Sequence, residues 1–303
     1  MSDGTDNSRW TDLGGPMHWI DHGGPQGAPL VVLVHGLGGS HANWSSLAPL
    51  LTGEYRVIAP DLAGFGLTVG GPRSAAIPAN RRLLDQFLAE VAGEPVILVG
   101  NSMGGLISAM EAAKHPEAVS RLVLIDPALP IPVSWPDPVV TAMFGEFLLP
   151  KRARRALARR RGPKTSEQLA VDLLALVCAD PGRVDPAVVE EHKALARRRV
   201  DDRHANRDFL IAARSLQPFL GTGRRRFSAM LHSITQPVLL LHGDKDRLIN
   251  VRAARQAARN NPSWTFAVAS GVGHVPQLED PQWTADQIIA FLKAHPIEDR
   301  PAA

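Results

Sequence analysis

Cysteine is almost missing from this chain of 303 residues: Cys178 stands alone, which excludes an internal disulfide and any site built from several thiolates. Its simplest role is that of a small buried apolar side chain. Tyrosine is as scarce, with one Tyr against six Trp and nine Phe. No apolar run approaches the ~18 residues that a membrane-spanning helix needs. The N-terminal MSDGTDNSRW has no basic stretch leading into an apolar core, so a secretory signal is not expected and a reducing, cytoplasmic setting is. Metal-ligand spacings of His, Asp and Glu are absent too, and neither metal nor cofactor is expected.

Charge of one sign is lacking overall, with 33 Lys+Arg against 30 Asp+Glu. That balance hides a local excess. Residues 151–164 hold eight bases (Lys151, Arg152, Arg154, Arg155, Arg159, Arg160, Arg161 and Lys164) and no acid, and without them 25 bases face 30 acids. No aromatic residues interleave with these bases, so the pattern is not that of a nucleic-acid binder. The preceding VVTAMFGEFLL (residues 139–149) contains Phe144 and Phe147. Residues 139–164 are thus compatible with a helix lying on an anionic membrane. The preferred reading is simpler: the apolar part lines a substrate pocket and the arginines face solvent.

What the sequence has in quantity is short apolar runs ending in glycine- or aspartate-rich turns. Residues 30–34 (LVVLV) lead into HGLGG, 56–59 (RVIA) into PDLAGFG, 96–99 (VILV) into GNSMGG and 122–125 (LVLI) into DPALP. Continuous β-branched runs of this length suit strands buried on both faces, as in a parallel sheet. Helices are expected between them at residues 45–51, 75–91 and 103–115, and residues 17–21 are expected to add an antiparallel edge strand. Residues 128–230 break the rhythm and read as several helices interrupted at Pro150, Gly162-Pro163 and Pro218. Strands resume at 237–241 and 264–269, and a last helix is expected over 283–293. In such a sheet the turns at the C-terminal ends of the strands share one edge, where ligands bind.

One turn carries chemistry. Gly100-Asn101-Ser102-Met103-Gly104 follows a buried strand and opens a helix, the context that gives G-x-S-x-G meaning. A serine there sits on a turn so sharp that side chains two residues to either side would collide, and glycine removes them. A serine hydroxyl needs a base, and the base an orienting acid. His274, in GVGH, follows the 264–269 strand. Asp246, in HGDKD, follows the 237–241 strand, with Asp244 as its neighbouring rival and Asp126 as a more distant one. Oxyanion donors are expected from the backbone N–H groups of Leu37, in HGLGG, and Met103. His35 reads as a structural residue bridging loops and Asp61 as a brace for its own turn. His41, His115, His232, His242 and His295 read as solvent or turn residues.

HGLGG, PDLAGFG, GNSMGG, HGDKD and GHVPQLEDP occur in an order that resembles the α/β-hydrolase fold family, over nearly the whole chain outside residues 128–230. The resemblance implies an α/β fold, a mostly parallel doubly wound sheet with a helical cap inserted after the sixth strand. Residues 1–127 and 231–303 would form the core and 128–230 the cap. It implies Ser102 as nucleophile, His274 as base and then acid, and Asp246, in preference to Asp244, as orienter. Relatives that open epoxides or displace halide use an aspartate nucleophile, and the former a pair of cap tyrosines; Ser102 and the isolated Tyr55 argue against both. The expected function is hydrolysis of an apolar acyl substrate (ester, lactone or thioester) through an acyl-enzyme, with Phe144, Phe147 and Val275 lining the pocket. Two alternatives stay open: a carbon–carbon bond hydrolase acting on ring-fission dienoic acids, and a ligand-binding protein on this fold with incidental turnover. The carbon–carbon hydrolases carry Trp after the catalytic His, where this chain has Val275.

Overall fold

The computed structural model describes residues 7–71, 73–130, 162, 164–220 and 223–297. Eight strands form one sheet: β1 (Ser8–Asp12), β2 (Pro16–Gly23), β3 (Leu30–Val34), β4 (Arg56–Pro60), β5 (Val96–Asn101), β6 (Val119–Ile125), β7 (Val238–Gly243) and β8 (Thr265–Ala269). Their order is β1-β2-β4-β3-β5-β6-β7-β8. The β1–β2 and β2–β4 pairs are antiparallel and every later pair is parallel.

Every residue of β3, β5 and β7 is buried, because helices cover both faces of the sheet. Val32, Leu98, Leu122 and Leu240 join one apolar cluster with Leu84 and Phe87 of α2 (Ile77–Phe87) and Leu106 of α3 (Met103–Lys114). The alternate positions Val31, Leu33, Ile97, Val99 and Leu239 join a second cluster. It contains Leu51 of α1 (Ala48–Leu51) and Ile288 and Phe291 of α10 (Pro281–Ala294). Each such side chain contributes about 1.5–3 kcal/mol on burial, which is why these runs are apolar without alternation.

Strand β1 has no counterpart in the sequence reading, where the polar N-terminus masked it. The signal was the turn that follows: Asp12 Oδ1 accepts from Gly15 N–H at 2.8 Å, and Gly14 and Gly15 take φ values of 72° and 129°. The helix expected at 75–91 is shorter, because after Phe87 the chain widens into a π-turn (Leu88–Ala92) that closes on Gly93 at φ 67°.

Between β6 and β7 the described residues form α4 (Ser166–Val177), α5 (Pro186–Arg198), α6 (Ala205–Leu220) and α7 (Arg224–His232). Pro218 does not break its helix as expected. It lies in the last turn of α6, where a missing N–H costs one hydrogen bond at most, and Gly223 N–H donates back to its carbonyl at 2.7 Å. Pro150 and Pro163 lie outside the described residues. Helix α6 rests on the loop after β4: Asp208 is fully buried, and a Cβ on Gly70 would lie 2.2 Å from its Oδ2. Ser215 Oγ accepts from Ile77 N–H at 2.9 Å. The remaining helices are α8 (Val251–Asn260) and α9 (Pro276–Glu279). No helix among the described residues is long and apolar enough to cross a membrane.

Under the N-terminal hairpin lies a buried polar hub. Asp61 Oδ2 accepts from His18 Nδ1 at 2.7 Å, His41 Nδ1 at 2.8 Å and Leu67 N–H at 2.8 Å, and Oδ1 accepts from His41 N–H at 2.7 Å. Burial alone would raise the Asp61 carboxyl, yet these donors hold it below the usual carboxylate range. His41 is therefore a buried brace and not the solvent residue expected. Burial disfavours its charged form, but the bond to Asp61 outweighs that and raises its pKa. Around this hub burial lowers His22 and His35 to about 4; the same cause lowers His192 and His242.

The consequence for stability has a definite sign. An unfolded chain binds protons at these four histidines near the ordinary value of about 6.5, whereas the folded chain refuses them until lower pH. Stability from that source is present above the unfolded value and is lost as pH falls toward about 4. His41 acts the other way, stabilising below its unfolded value and losing that contribution as pH rises through its folded one. Four groups outweigh one, so the thermal midpoint should drop steadily between pH 7 and 4. A flat or rising midpoint in calorimetry over that range would contradict this assignment.

Candidate active site

Strand β5 delivers Ser102 and α3 begins at Met103, so the serine occupies the corner between them. Its backbone sits at φ 56°, ψ −119°, one of two positive-φ non-glycine residues described. That strain persists only because the surroundings enforce it. Ser102 N–H donates to Ile125 O at 3.0 Å, and its carbonyl accepts from Leu106 at 3.1 Å and Ala128 at 2.9 Å. The glycines admit no side chain. A Cβ on Gly100 would lie 2.6 Å from Gly104 O, and one on Gly104 would lie 2.2 Å from Val34 O.

The expected oxyanion loop stands against the same corner. A Cβ on Gly36 would lie 2.9 Å from Ser102 Cβ, and a turn closes from Gly39 N–H to Gly36 O at 3.1 Å. Leu37 lies within that turn. Met103 opens α3, where the first N–H groups have no acceptor inside the helix and the dipole favours negative charge. His35 bridges loops: its Nδ1 donates to Gly36 O at 2.8 Å while Nε2 accepts from Leu62 N–H at 3.0 Å. That is a neutral ring, in keeping with its lowered pKa.

Beyond β7 and β8, Asp246 and His274 meet. Nδ1 of His274 is 2.7 Å from Asp246 Oδ2, with the aspartate 7 % and the histidine 4 % exposed. A carboxylate partner requires the proton on Nδ1, which leaves Nε2 with a free lone pair. Asp246 Oδ1 is fixed by Leu248 N–H at 2.7 Å and Ile249 N–H at 3.0 Å. Burial pushes this carboxyl up, but the charge and hydrogen bond of His274 prevail and lower it. Asn101 joins the corner to the base loop, its Nδ2 donating to His274 O at 3.1 Å and to Ile125 O at 3.0 Å. Among the described residues no hydrogen bond links Ser102 Oγ to the imidazole directly; catalytic contacts in a ligand-free site are commonly long and tighten with substrate.

The rival acids have other occupations. Asp244 Oδ1 accepts from Gly271 N–H at 2.7 Å and knits the loop after β7 to the loop after β8. Asp126, at φ 42°, accepts from Gly243 N–H at 3.0 Å. Burial and then the neighbouring Asp246 push its pKa well above the usual carboxylate range. His242, expected at the surface or in a turn, is fully buried, and its Nε2 donates to Ile249 O at 2.8 Å. Among the described residues three His–carboxylate groups come close enough to hold a cation: His18, His41 and Asp61; Asp85, Glu111 and His115; and Asp126, His242 and Asp246. In the first, hydrogen bonds join both imidazoles to the carboxylate, and in the second Arg81 lies 2.7 Å from Glu111 Oε2.

Val275 is 2 % exposed and packs with Leu174, Cys178, Val184, Val188 and Leu278, part of the seam between α4 and the base loop. Phe144, Phe147 and nearly all of residues 139–164 lie outside the described residues. Two side chains that sequence reasoning missed stand over the HGLGG loop: a Cβ on Gly38 would lie 3.4 Å from Phe209 and 3.6 Å from Leu173. Both belong to the stretch between β6 and β7, where no motif marks which apolar residue faces inward.

The sheet order, the strained serine and the Asp–His pair together define a class. A model of the alpha/beta hydrolase fold matches residues 29–281, and the chain belongs to that family. Among its relatives, Lipase 1 of Psychrobacter immobilis is 29% identical over 92% of this chain and 81% of its own length. The 2-hydroxy-6-oxo-6-(2'-aminophenyl)hexa-2,4-dienoic acid hydrolase of Metapseudomonas resinovorans is 26% identical over 90% and 87%. A thermophilic esterase from Thermogutta terrifontis shares the fold, with a TM-score of 0.70 at 24% identity over 95% of this chain and 98% of that one.

Proposed function

We propose that this hydrolase-fold protein is a serine hydrolase that cleaves a carboxylic ester-type bond (ester, lactone or thioester) through an acyl-enzyme. The observation that carries the reading is the 2.7 Å Asp246–His274 pair tied through Asn101 to a serine held at positive φ. Ser102 Oγ attacks the carbonyl carbon as its proton passes to His274 Nε2. The carbonyl π pair moves onto oxygen, and the resulting oxyanion is stabilised by the N–H groups of Leu37 and Met103. Collapse breaks the bond to the leaving alcohol, thiol or ring oxygen, which takes the proton from His274. Water then attacks the acyl-enzyme with His274 again as base, and Ser102 is regenerated. Asp246 stays ionised throughout and holds the productive tautomer. No residue of this scheme calls for a cofactor. In this reading Leu173 and Phe209, beside Gly38, border an apolar acyl site.

A substrate panel tests the reading: short p-nitrophenyl esters, a thioester, a lactone and a ring-fission dienoate, with a fluorophosphonate probe read by mass spectrometry. Turnover of at least one acyl compound above the dienoate, with the label on Ser102, is the expected result. Faster cleavage of the dienoate would transfer the assignment to carbon–carbon hydrolysis, for which a relative is named above. Labelling without turnover of anything would make the protein a binder.

A further inference from the structure

The loop that carries His274 is held by more than the sheet. His274 N–H donates to Val177 O at 2.7 Å, a carbonyl at the end of α4. The two segments touch backbone to backbone: a Cβ on Gly273 would lie 2.5 Å from both Val177 O and Ala179 N. Glu279, 3 % exposed at the end of α9, closes this contact. Its Oε2 accepts from Gly273 N–H at 2.9 Å and Ala179 N–H at 3.0 Å, and its Oε1 accepts from Asp180 N–H at 2.8 Å. One carboxylate therefore grips the residue before the base and the two residues that follow Cys178. From the other side Arg247, next to Asp246, donates to Ala175 O at 2.8 Å and Leu176 O at 2.9 Å, in the last turn of α4. The same helix places Leu173 over Gly38 of the oxyanion loop.

We infer that Glu279 is a positioning residue for the base, clamping the His274 loop to the end of α4, so that the reach of the imidazole toward Ser102 depends on how this helix is seated. The inference rests on the reading of His274 as the base. The chemistry of the clamp is specific. All three partners are N–H donors, and an ionised carboxylate is acceptor-only. Glutamine keeps the shape but turns an NH₂ group against at least one of those donors, while alanine strands all three in a buried place, the costly way to lose a hydrogen bond. The machinery responds in the chemical step, because displacement of a reacting group by about 1 Å is worth up to about 100-fold in rate.

The test compares Glu279→Gln and Glu279→Ala with the wild type in the full chain. kcat and KM are measured on a p-nitrophenyl ester, with kcat normalised to sites titrated to the endpoint by a fluorophosphonate, so that misfolded molecules do not count. The expected result is a kcat lower by about 10- to 100-fold with KM within about threefold, and faster amide exchange at Gly273, His274, Ala179 and Asp180. A normalised kcat equal to wild type in Glu279→Gln, or a loss carried wholly in KM, overturns the clamp. Should both Glu279 variants fail to fold, Arg247→Ala decides: its guanidinium is exposed, and its removal frees the same turn of α4, so an unchanged kcat there rejects the inference. His274→Ala run alongside separates the two claims. Retained activity in that variant sinks the base assignment itself, whereas an inactive His274→Ala beside an unimpaired Glu279→Gln sinks only the clamp.

Discussion

Replacing Ser102 with alanine should lower kcat/KM for the best ester by about 10⁴- to 10⁶-fold, leaving whatever residual rate the oxyanion donors and binding alone provide. The size follows from the geometry. The glycines on either side of Ser102 admit no side chain of their own, so no neighbouring substitution supplies a replacement hydroxyl. The fold should be indifferent to the change, because the serine carbonyl and N–H, rather than its hydroxyl, make the bonds that close the turn. Hydrolysis by the alanine variant at more than about a hundredth of the wild-type rate, with an unchanged melting curve, would remove Ser102 from the mechanism.

The second large effect separates two aspartates that sequence alone leaves in competition. Asp246→Asn should reduce kcat by about 10⁴-fold, since an amide opposite Nδ1 favours the wrong tautomer of His274. Asp126→Asn should leave kcat within about threefold, because Asp126 serves as the acceptor for Gly243 N–H and an amide oxygen can still accept that bond. The two side chains are buried neighbours, so the pair of variants controls for general disturbance of the pocket. The reverse ranking would mean that the ionised acid of this site is the one after β6.

How much of this was legible in the sequence depended on whether the cause was local. The buried strands are visible because a strand covered on both faces must be apolar at every position, and Leu30–Val34 and residues 96–99 satisfy that condition. The serine corner was visible because its steric demand falls on glycines at fixed offsets. Asp246 and His274 were visible as loop residues after two successive strands, although only the fold brings residues 28 apart to 2.7 Å. The histidines were read less well. His41 and His242 are polar residues buried with partners outside any helix or strand period, Asp61 20 residues on for one and Ile249 7 residues on for the other, and no local pattern announces that. Glu279 stood in plain view within GHVPQLEDP, yet its three donors come from two segments about a hundred residues apart. Pro218 misled because a proline at the last turn of a helix looks, in sequence, like one that ends it.

The closeness of Gly104 to β3 sets a boundary on how this protein can be altered. With the Val34 and His35 carbonyls 2.2 and 2.4 Å from where a Cβ would stand, any larger residue there lifts the helix off its neighbour and takes the Met103 amide with it. Directed evolution toward new acyl groups therefore has no profitable route through the elbow. Variants with altered preference should accumulate among side chains such as Leu173 and Phe209, while libraries randomised at residues 100, 104 and 105 should return mainly inactive clones.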